Sequence, residues 1–151
     1  SKNANNGGTM AVVNTLSNHF RYMLATKEID FSSDSFKIIL MDSAFSFDPD
    51  AHATLDDVTA NQLSTGNGYT QNSKELAGVS VSEDDANDRA AVSWNSVVWT
   101  ADGGSIGPSG AAIIYDDDTS DDTVVGCIDY GEDITATTGN DFEISSPGVN
   151  L

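Results

Sequence analysis

The sequence predicts a mainly β protein: an antiparallel β-sandwich or jelly-roll-like domain with one N-terminal amphipathic helix. Residues 90–151 hold short apolar stretches separated by Gly, Asp and Ser. Within several stretches apolar and polar residues alternate, which is the period of a strand with one buried face. Residues 15–27 instead repeat apolar residues at intervals of three and four, which is the helical period.

The N-terminal region divides into an arm and the helix. Residues 1–9 are polar, contain Gly and lack periodicity, so they are typical of a flexible arm or of a cloning remnant. We expect an arm over residues 1–14 and a single domain over residues 15–151. Asn14 or Thr15 is available as the helix cap. The helical stripe consists of Leu16, Phe20, Met23 and Leu24. It is expected to cover an open end or face of the sheet, with an oligomer contact as the alternative.

The middle of the chain combines one strand with a long connection. Residues 36–42 are predicted to form a central strand because they are almost continuously apolar. Residues 44–68 are expected to be loop and short turns. Within them, residues 53–58 are expected to form one helical turn with Leu55 and Val58 facing inward.

The other strands are predicted from apolar runs that end at turn residues. These runs cover residues 76–81, 90–94, 97–99, 111–115, 123–130 and 141–145. The continuous run at 111–115 is typical of a strand buried on both faces. Residues 101–110 are predicted to be a loop, because Gly allows positive φ and Pro108 has no N–H for a ladder hydrogen bond.

Composition limits the function classes. At 151 residues and 38% hydrophobic content, the chain is long enough for one core. No apolar run reaches the roughly 18 residues of a membrane span, and no secretory pattern opens the chain. We therefore expect a protein that neither spans a membrane nor is exported by a signal peptide.

The charge balance constrains the partners. With 24 acidic and 6 basic residues the formal net charge is −18, which disfavours binding to nucleic acid or to an anionic membrane. The basic residues all precede residue 90: Lys2, Arg21, Lys27, Lys37, Lys74 and Arg89. We expect the docking face for a protein partner at this less acidic end.

The residues that could carry chemistry form no recognised pattern. The acidic run at 116–122 is the best metal candidate, since clustered carboxylates suit calcium. It lacks the Gly and Glu of the helix-loop-helix calcium motif, so a solvated hairpin turn is expected there, as for residues 83–88. His19 and His52 show no zinc spacing, and Cys127 is expected to be a buried small hydrophobe. We expect no enzyme and no catalytic, cofactor or metal site.

The order of short patterns over residues 15–148 resembles the small structural proteins of tailed bacteriophage virions. The matching features are Ile29-Asp-Phe31 after the helix, the strand at 36–42, the Phe-Asp-Pro-Asp loop with His52 and Asp56-Asp57-Val58, Gly68-Tyr69, Leu76, Trp99, and residues 112–116 with 128–131. The resemblance implies a β-sandwich virion protein, of the type that decorates and cements the capsid. It implies no catalytic residues.

This resemblance sets the functional expectations. The partner would be the major capsid protein, the location the outer capsid surface, and the oligomer a homo-oligomer such as a trimer. The contact is expected among the helix stripe, the loop at 45–58 and the arm. One alternative is a tail or fibre component that binds host glycans through Tyr69, Trp94 or Trp99. A carbohydrate-binding module is a further alternative.

Overall fold

The computed structural model describes residues 11–151, and it confirms a mainly β fold with antiparallel sheets. Its elements are β1 (Thr15–Leu16), α1 (Asn18–Ala25), β2 (Phe36–Asp42), α2 (Leu55–Val58), β3 (Ser80–Asp84), β4 (Arg89–Ser93), β5 (Val97–Thr100), β6 (Ile106–Asp116), β7 (Val124–Ala136), β8 (Asp141–Ile144) and β9 (Gly148–Asn150).

The strands form three sheets. The largest has the order β1-β7-β6-β2, the second β3-β4-β9, and the third pairs β5 with β8. The hairpin of β6 and β7 is the longest element pair, with strands of 11 and 13 residues. Strand β3 is an edge of its sheet and is exposed over most of its length.

Both faces of the four-stranded sheet are buried, because its central residues are apolar without interruption. On one face Ile38, Leu40 and Ile114 join the principal core, which also takes side chains from the other two sheets. On the opposite face Ile39 and Ile113 join a second core. Successive residues thus enter different cores, as the pleat of a strand requires.

The second core is closed by α2. Leu55 and Val58 are buried there, which confirms the predicted helical turn and its inward residues. Cys127 of β7 is also buried in this core, as predicted.

Helix α1 is shorter than the sequence predicts. It starts at Asn18, and its cap is Ser17, whose hydroxyl accepts a hydrogen bond from the Phe20 N–H at 3.2 Å. Thr15 and Leu16 instead pair with Cys127 and Gly126 of β7. The predicted caps Asn14 and Thr15 are therefore wrong, because pairing with β7 holds this segment extended.

The predicted loop at residues 101–110 is wrong in its second half. Strand β6 begins at Ile106 and includes Pro108, and its pairing with β7 is irregular between Ile106 and Ala111. Proline lacks an N–H but is tolerated where a ladder is irregular. The long hairpin therefore continues through residues that local propensity assigns to a turn.

Two further strand predictions need correction. The strand expected at residues 76–81 begins only at Ser80, since Gly78 has a positive φ of 69°. Strand β2 has the predicted bounds but lies at the edge of its sheet. Irregular chain covers that edge: Lys74 O accepts from Ile38 N at 3.1 Å, and Leu40 O accepts from Leu63 N at 2.9 Å.

Residues 11–14 belong to the packed domain, although the sequence places them in the arm. Ala11 and Val13 are buried, and their N–H groups donate to Ser145 O and Gly148 O at 2.9 Å. The rest of the predicted arm lies outside the described residues. Among the residues that are described, no helix has the length and apolar character of a membrane span.

Candidate docking face and carboxylate cluster

Helix α1 and the loop after β2 form one continuous surface. The Asn18 N–H, at the start of α1, donates to Pro49 O at 3.0 Å, and the Asn18 side chain donates to Asp50. We call the exposed side of α1 together with residues 45–52 the docking face. It includes part of the loop at 45–58, where the sequence predicts a contact, and the side of α1 opposite the predicted stripe; the arm lies mainly outside the described residues.

The loop contributes a half-buried aromatic cluster to the docking face. The ring centroids of Phe45 and His52 are 5.2 Å apart, and those of Phe47 and His52 are 5.6 Å apart. The Asp48 N–H donates to His52 Nδ1 at 2.9 Å and thereby fixes the orientation of the imidazole. Both phenylalanines pack on the second core, so this part of the loop is held rigidly.

Helix α1 contributes an exposed aromatic side chain. Tyr22 is 63% exposed, whereas Phe20 is fully buried and Met23 and Leu24 are partly buried against the principal core. The apolar stripe of α1 thus packs on the core between the sheets, as expected for a helix that covers a face of the sheet. Its edge also lines an open groove of about 470 Å³ with Leu16, Arg21 and the chain end at Leu151.

His19 ties the docking face to the turn between β6 and β7. Its Nε2 lies 2.8 Å from Asp121 Oδ2, and its ring stacks on Tyr22 with centroids 6.3 Å apart. Burial raises the pKa of Asp121, but hydrogen bonds from Thr123 and His19 outweigh it, so the pKa is lowered. His19 and His52 are far apart in the sequence. On this surface His19 contacts Asp121, and His52 accepts the hydrogen bond from Asp48 N.

The basic residues are only partly available to a partner. Lys37 pairs with Asp117 at 3.3 Å and Arg89 with Asp84 at 2.8 Å. Lys74 lies over the ring of Trp99, 5.3 Å from its centroid. Arg21 and Lys27, in α1 and just after it, are exposed. Within the docking face, Arg21 is basic and Asp48 and Asp50 are acidic.

The acidic run at residues 116–122 is not a uniformly solvated turn. Asp116 ends β6 and is fully buried, while Asp118 is exposed. The loop after α1 brings Asp34 to them, and one carboxylate oxygen of each residue lies within 4.8 Å of the others. We call these three residues the carboxylate cluster.

Backbone amides hold the carboxylate cluster. Asp116 Oδ1 accepts from Asp118 N at 2.9 Å, Asp118 Oδ2 from Ser35 N at 2.7 Å, and Asp34 Oδ2 from Asp30 N at 3.1 Å. Asp116 Oδ2 is buried without a hydrogen-bond partner. Burial first, and the neighbouring Asp34 carboxyl second, raise the pKa of Asp116 to about 8.

Sequence reasoning missed Asp34 because the contact joins residues 82 positions apart (116 − 34). The strand register could have pointed to Asp34, since Asp116 pairs with Phe36 across β6 and β2. One sequence does not reveal that register, because the pairing joins residues far apart in the chain. In the other acidic run, residues 83–88, Asp84 forms an ion pair with Arg89. Glu83, Asp85 and Asp88 of this run are exposed.

The aromatic residues behind the glycan-binding alternative lie inside the protein. Tyr69, Trp94 and Trp99 are 2%, 4% and 3% exposed. Their ring faces are therefore covered by neighbouring side chains and offer no platform for a sugar.

Burial and the neighbouring Asp129 raise the pKa of Cys127 to about 12, so its thiol is protonated at neutral pH and is a weak nucleophile.

The chain matches no known family, no curated protein and no solved structure. The fold and the two surface features described above are therefore the structural basis for a functional proposal.

Proposed function

We propose that the protein is a β-sandwich structural protein of a tailed bacteriophage virion, which decorates and stabilises the capsid by binding the outer surface of the major capsid protein shell. The observation that carries the proposal is the docking face. It is a rigid surface that joins α1 to the aromatic loop and exposes Tyr22 at 63%.

A sandwich is supported by the way the sheets share the principal core. That core contains Leu40 from the four-stranded sheet, Val92 from the second sheet and Phe142 from the third. Sheets that bury their inner faces together are the basis of sandwich architecture. A domain with one shared core of this kind suits a role that bridges neighbouring subunits of a shell.

The charge supports an external position. A net charge of −18 would be repelled by packaged DNA, whereas on the outside of a shell it faces solvent. Many copies on a symmetric lattice would also let a modest contact per subunit hold the shell firmly. A homo-oligomer, with a trimer as one closed arrangement, fits threefold positions.

The contact itself is expected to depend on aromatic side chains. Tyrosine and other aromatic residues are enriched among the residues that contribute most to interface energies. Tyr22 and the half-buried Phe47 are the aromatic anchors that the docking face offers. Arg21, exposed on the same helix, adds a cation.

Labelling virions with antibodies against the protein tests the location. We expect gold-labelled antibody around the head of the particle. Label confined to the tail would instead identify a tail component, and virions without label would refute both locations.

Light scattering of the purified protein gives its mass in solution, and a monomeric mass at working concentration would refute the oligomer.

A decoration assay tests the docking face. Purified protein is added to shells that lack it, and bound protein is measured after sedimentation. We expect Tyr22→Ala and Phe47→Ala each to weaken binding at least about tenfold, which corresponds to about 1.4 kcal/mol. Val81→Ala, on the exposed strand β3, is the matched control and should bind as the wild type does. Equal binding by all variants would place the contact elsewhere.

A further inference from the structure

The carboxylate cluster contains a polar atom that the protein leaves without a partner. Asp116 is fully buried, and its Oδ2 accepts no hydrogen bond. Buried charges in folded proteins are paired with an opposite charge or coordinate a metal. Among the described residues, the nearby Lys37 instead forms its ion pair with Asp117.

Backbone hydrogen bonds hold the three carboxylates close to one another. In each of the three, one oxygen is fixed by a backbone N–H. The side chains therefore cannot turn away from one another without losing these bonds. Three ionised carboxyls this close together would repel one another, so the cluster requires either a proton or a cation to neutralise it.

The oxygens lie close enough together for all three to bind one calcium ion. Calcium–oxygen bonds of 2.3–2.6 Å put two ligands on opposite sides of the ion at about 4.6–5.2 Å. One oxygen from each of Asp34, Asp116 and Asp118 falls within 4.8 Å of the others, so all three fit one ion. Asp118 is exposed, so water can reach the site and complete the shell.

We propose that Asp34, Asp116 and Asp118 bind one calcium ion, which fastens the loop after α1 to the end of β6. Calcium is favoured over magnesium because it accepts irregular geometry, whereas magnesium demands near-octahedral geometry and gives up its water reluctantly. The inference is independent of the proposed function, since it concerns an ion and not the capsid contact.

Calorimetric titration of the full-length chain with calcium chloride tests the site. The protein is first freed of metal with a chelator and then titrated at pH 7.5 in potassium chloride. We expect one calcium per chain with a Kd between about 10 µM and 1 mM, and an unfolding temperature that rises with calcium. Magnesium chloride should bind at least about tenfold more weakly.

Two variants connect the binding to the carboxylate cluster. Asp116→Asn keeps the shape and the acceptor for Asp118 N but removes the buried charge, so we expect a folded protein whose calcium affinity falls at least tenfold. Asp118→Asn, at an exposed position, should fold in any case and lose affinity similarly. Asp85→Asn, in the other acidic run, is the matched control and should bind calcium as the wild type does.

Several results would overturn the proposal. The absence of saturable calcium binding would mean that a proton, not a cation, neutralises Asp116. Unchanged binding by Asp118→Asn would place any calcium elsewhere. Equal affinity for magnesium would refute the assignment to calcium. If Asp116→Asn fails to fold, Asp118→Asn alone decides.

Discussion

The hydroxyl of Tyr69 connects a loop to the edge of β2. It accepts hydrogen bonds from Leu40 N at 3.0 Å and from Gln62 Nε2 at 2.8 Å. Burial raises the pKa of Tyr69, although these two bonds lower it in part, so the hydroxyl is neutral at physiological pH. One side chain thus satisfies a backbone amide that the sheet leaves unpaired.

Removing this hydroxyl should destabilise the fold. In Tyr69→Phe two buried donors lose their acceptor, and each unsatisfied group costs about 1–3 kcal/mol. We expect the free energy of unfolding to fall by at least about 1 kcal/mol in urea denaturation followed by circular dichroism. Tyr22→Phe, at an exposed position, should change it by less than about 0.5 kcal/mol. Equal losses in both variants would contradict the role given to Tyr69.

At the residue scale, the sequence predicts burial better than it predicts partners. Alternation in strands and the helical turn place Val92, Leu55 and Cys127 inside, because burial follows from a local period. Asp34 of the carboxylate cluster carries no such signal. Its contact with Asp116 depends on where a loop falls across the sheet, and one sequence does not reveal that.

Strand β1 lies against β7 at a position where only glycine fits. A Cβ on Gly126 would be 2.4 Å from Thr15 O and 2.5 Å from a methyl of Val13. The absence of a side chain at this point allows the start of the domain to pair with β7. The same close approach holds residues 15 and 16 extended, so α1 starts at Asn18, later than its apolar period predicts.

A methyl group at Gly126 should therefore loosen β1. We expect Gly126→Ala to lower the free energy of unfolding by about 1–3 kcal/mol, the usual cost of overpacking, and to speed amide hydrogen exchange at Asn14 and Ser17, which bond to β7. Gly110→Ala is the control, because its nearest neighbour is the movable Asp133 side chain at 3.3 Å. Normal stability of Gly126→Ala would show that β1 can shift without cost.

Helix α2 is held at its start by a carboxylate. Asp57 Oδ2 accepts from Thr54 N at 2.9 Å and Ala53 N at 3.1 Å. The bond from the Thr54 backbone contributes most to a lowered pKa of Asp57. A carboxylate with a lowered pKa stabilises the folded state above the pKa of the unfolded chain, and this stabilisation is lost as the pH falls through the folded value.

Asp57→Asn should reveal this dependence. We expect it to lower stability by about 0.3–1.5 kcal/mol at pH 7, with a difference from the wild type that shrinks below about pH 4. Urea denaturation between pH 3 and 7 measures it. Asp56→Asn, in the same turn and with an exposed side chain, is the control. A difference that stays constant down to pH 3 would exclude the carboxylate as its cause.

Element bounds were predictable where a local pattern decided them. Strand β2 has the predicted bounds because an apolar run defines it, and helix α2 lies within the predicted residues 53–58 because Leu55 and Val58 are spaced for one turn. Strand β6 does not match, because pairing with β7 carries it through Pro108. Strand β9 escaped prediction, since three residues have no period of their own and pairing with β4 alone defines it.

The whole molecule carries a charge of −18, so its folded state is under self-repulsion. Raising potassium chloride from about 10 to 300 mM shortens the screening length from about 30 Å to below 10 Å. We expect the unfolding temperature to rise by several degrees over this range, since about 2–4 °C corresponds to 1 kcal/mol at this size. Differential scanning calorimetry measures the change.

A variant of reduced charge provides the control. Glu83 and Glu132 are exposed, and changing both to lysine moves the formal charge from −18 to −14, since each change adds two. The salt response of this variant should be smaller. An unfolding temperature that falls with salt would show that attractive pairs outweigh the repulsion.

The two indole groups stand at different places in the principal core. Trp94 packs against Phe36 with ring centroids 5.4 Å apart, and Trp99 against Phe142 at 6.3 Å. The fluorescence of Trp94 therefore reports on packing against the four-stranded sheet, and the fluorescence of Trp99 reports on the pair of β5 and β8. The chain thus carries two intrinsic fluorophores shielded from water, whose emission should shift to longer wavelength together if all sheets melt as one unit.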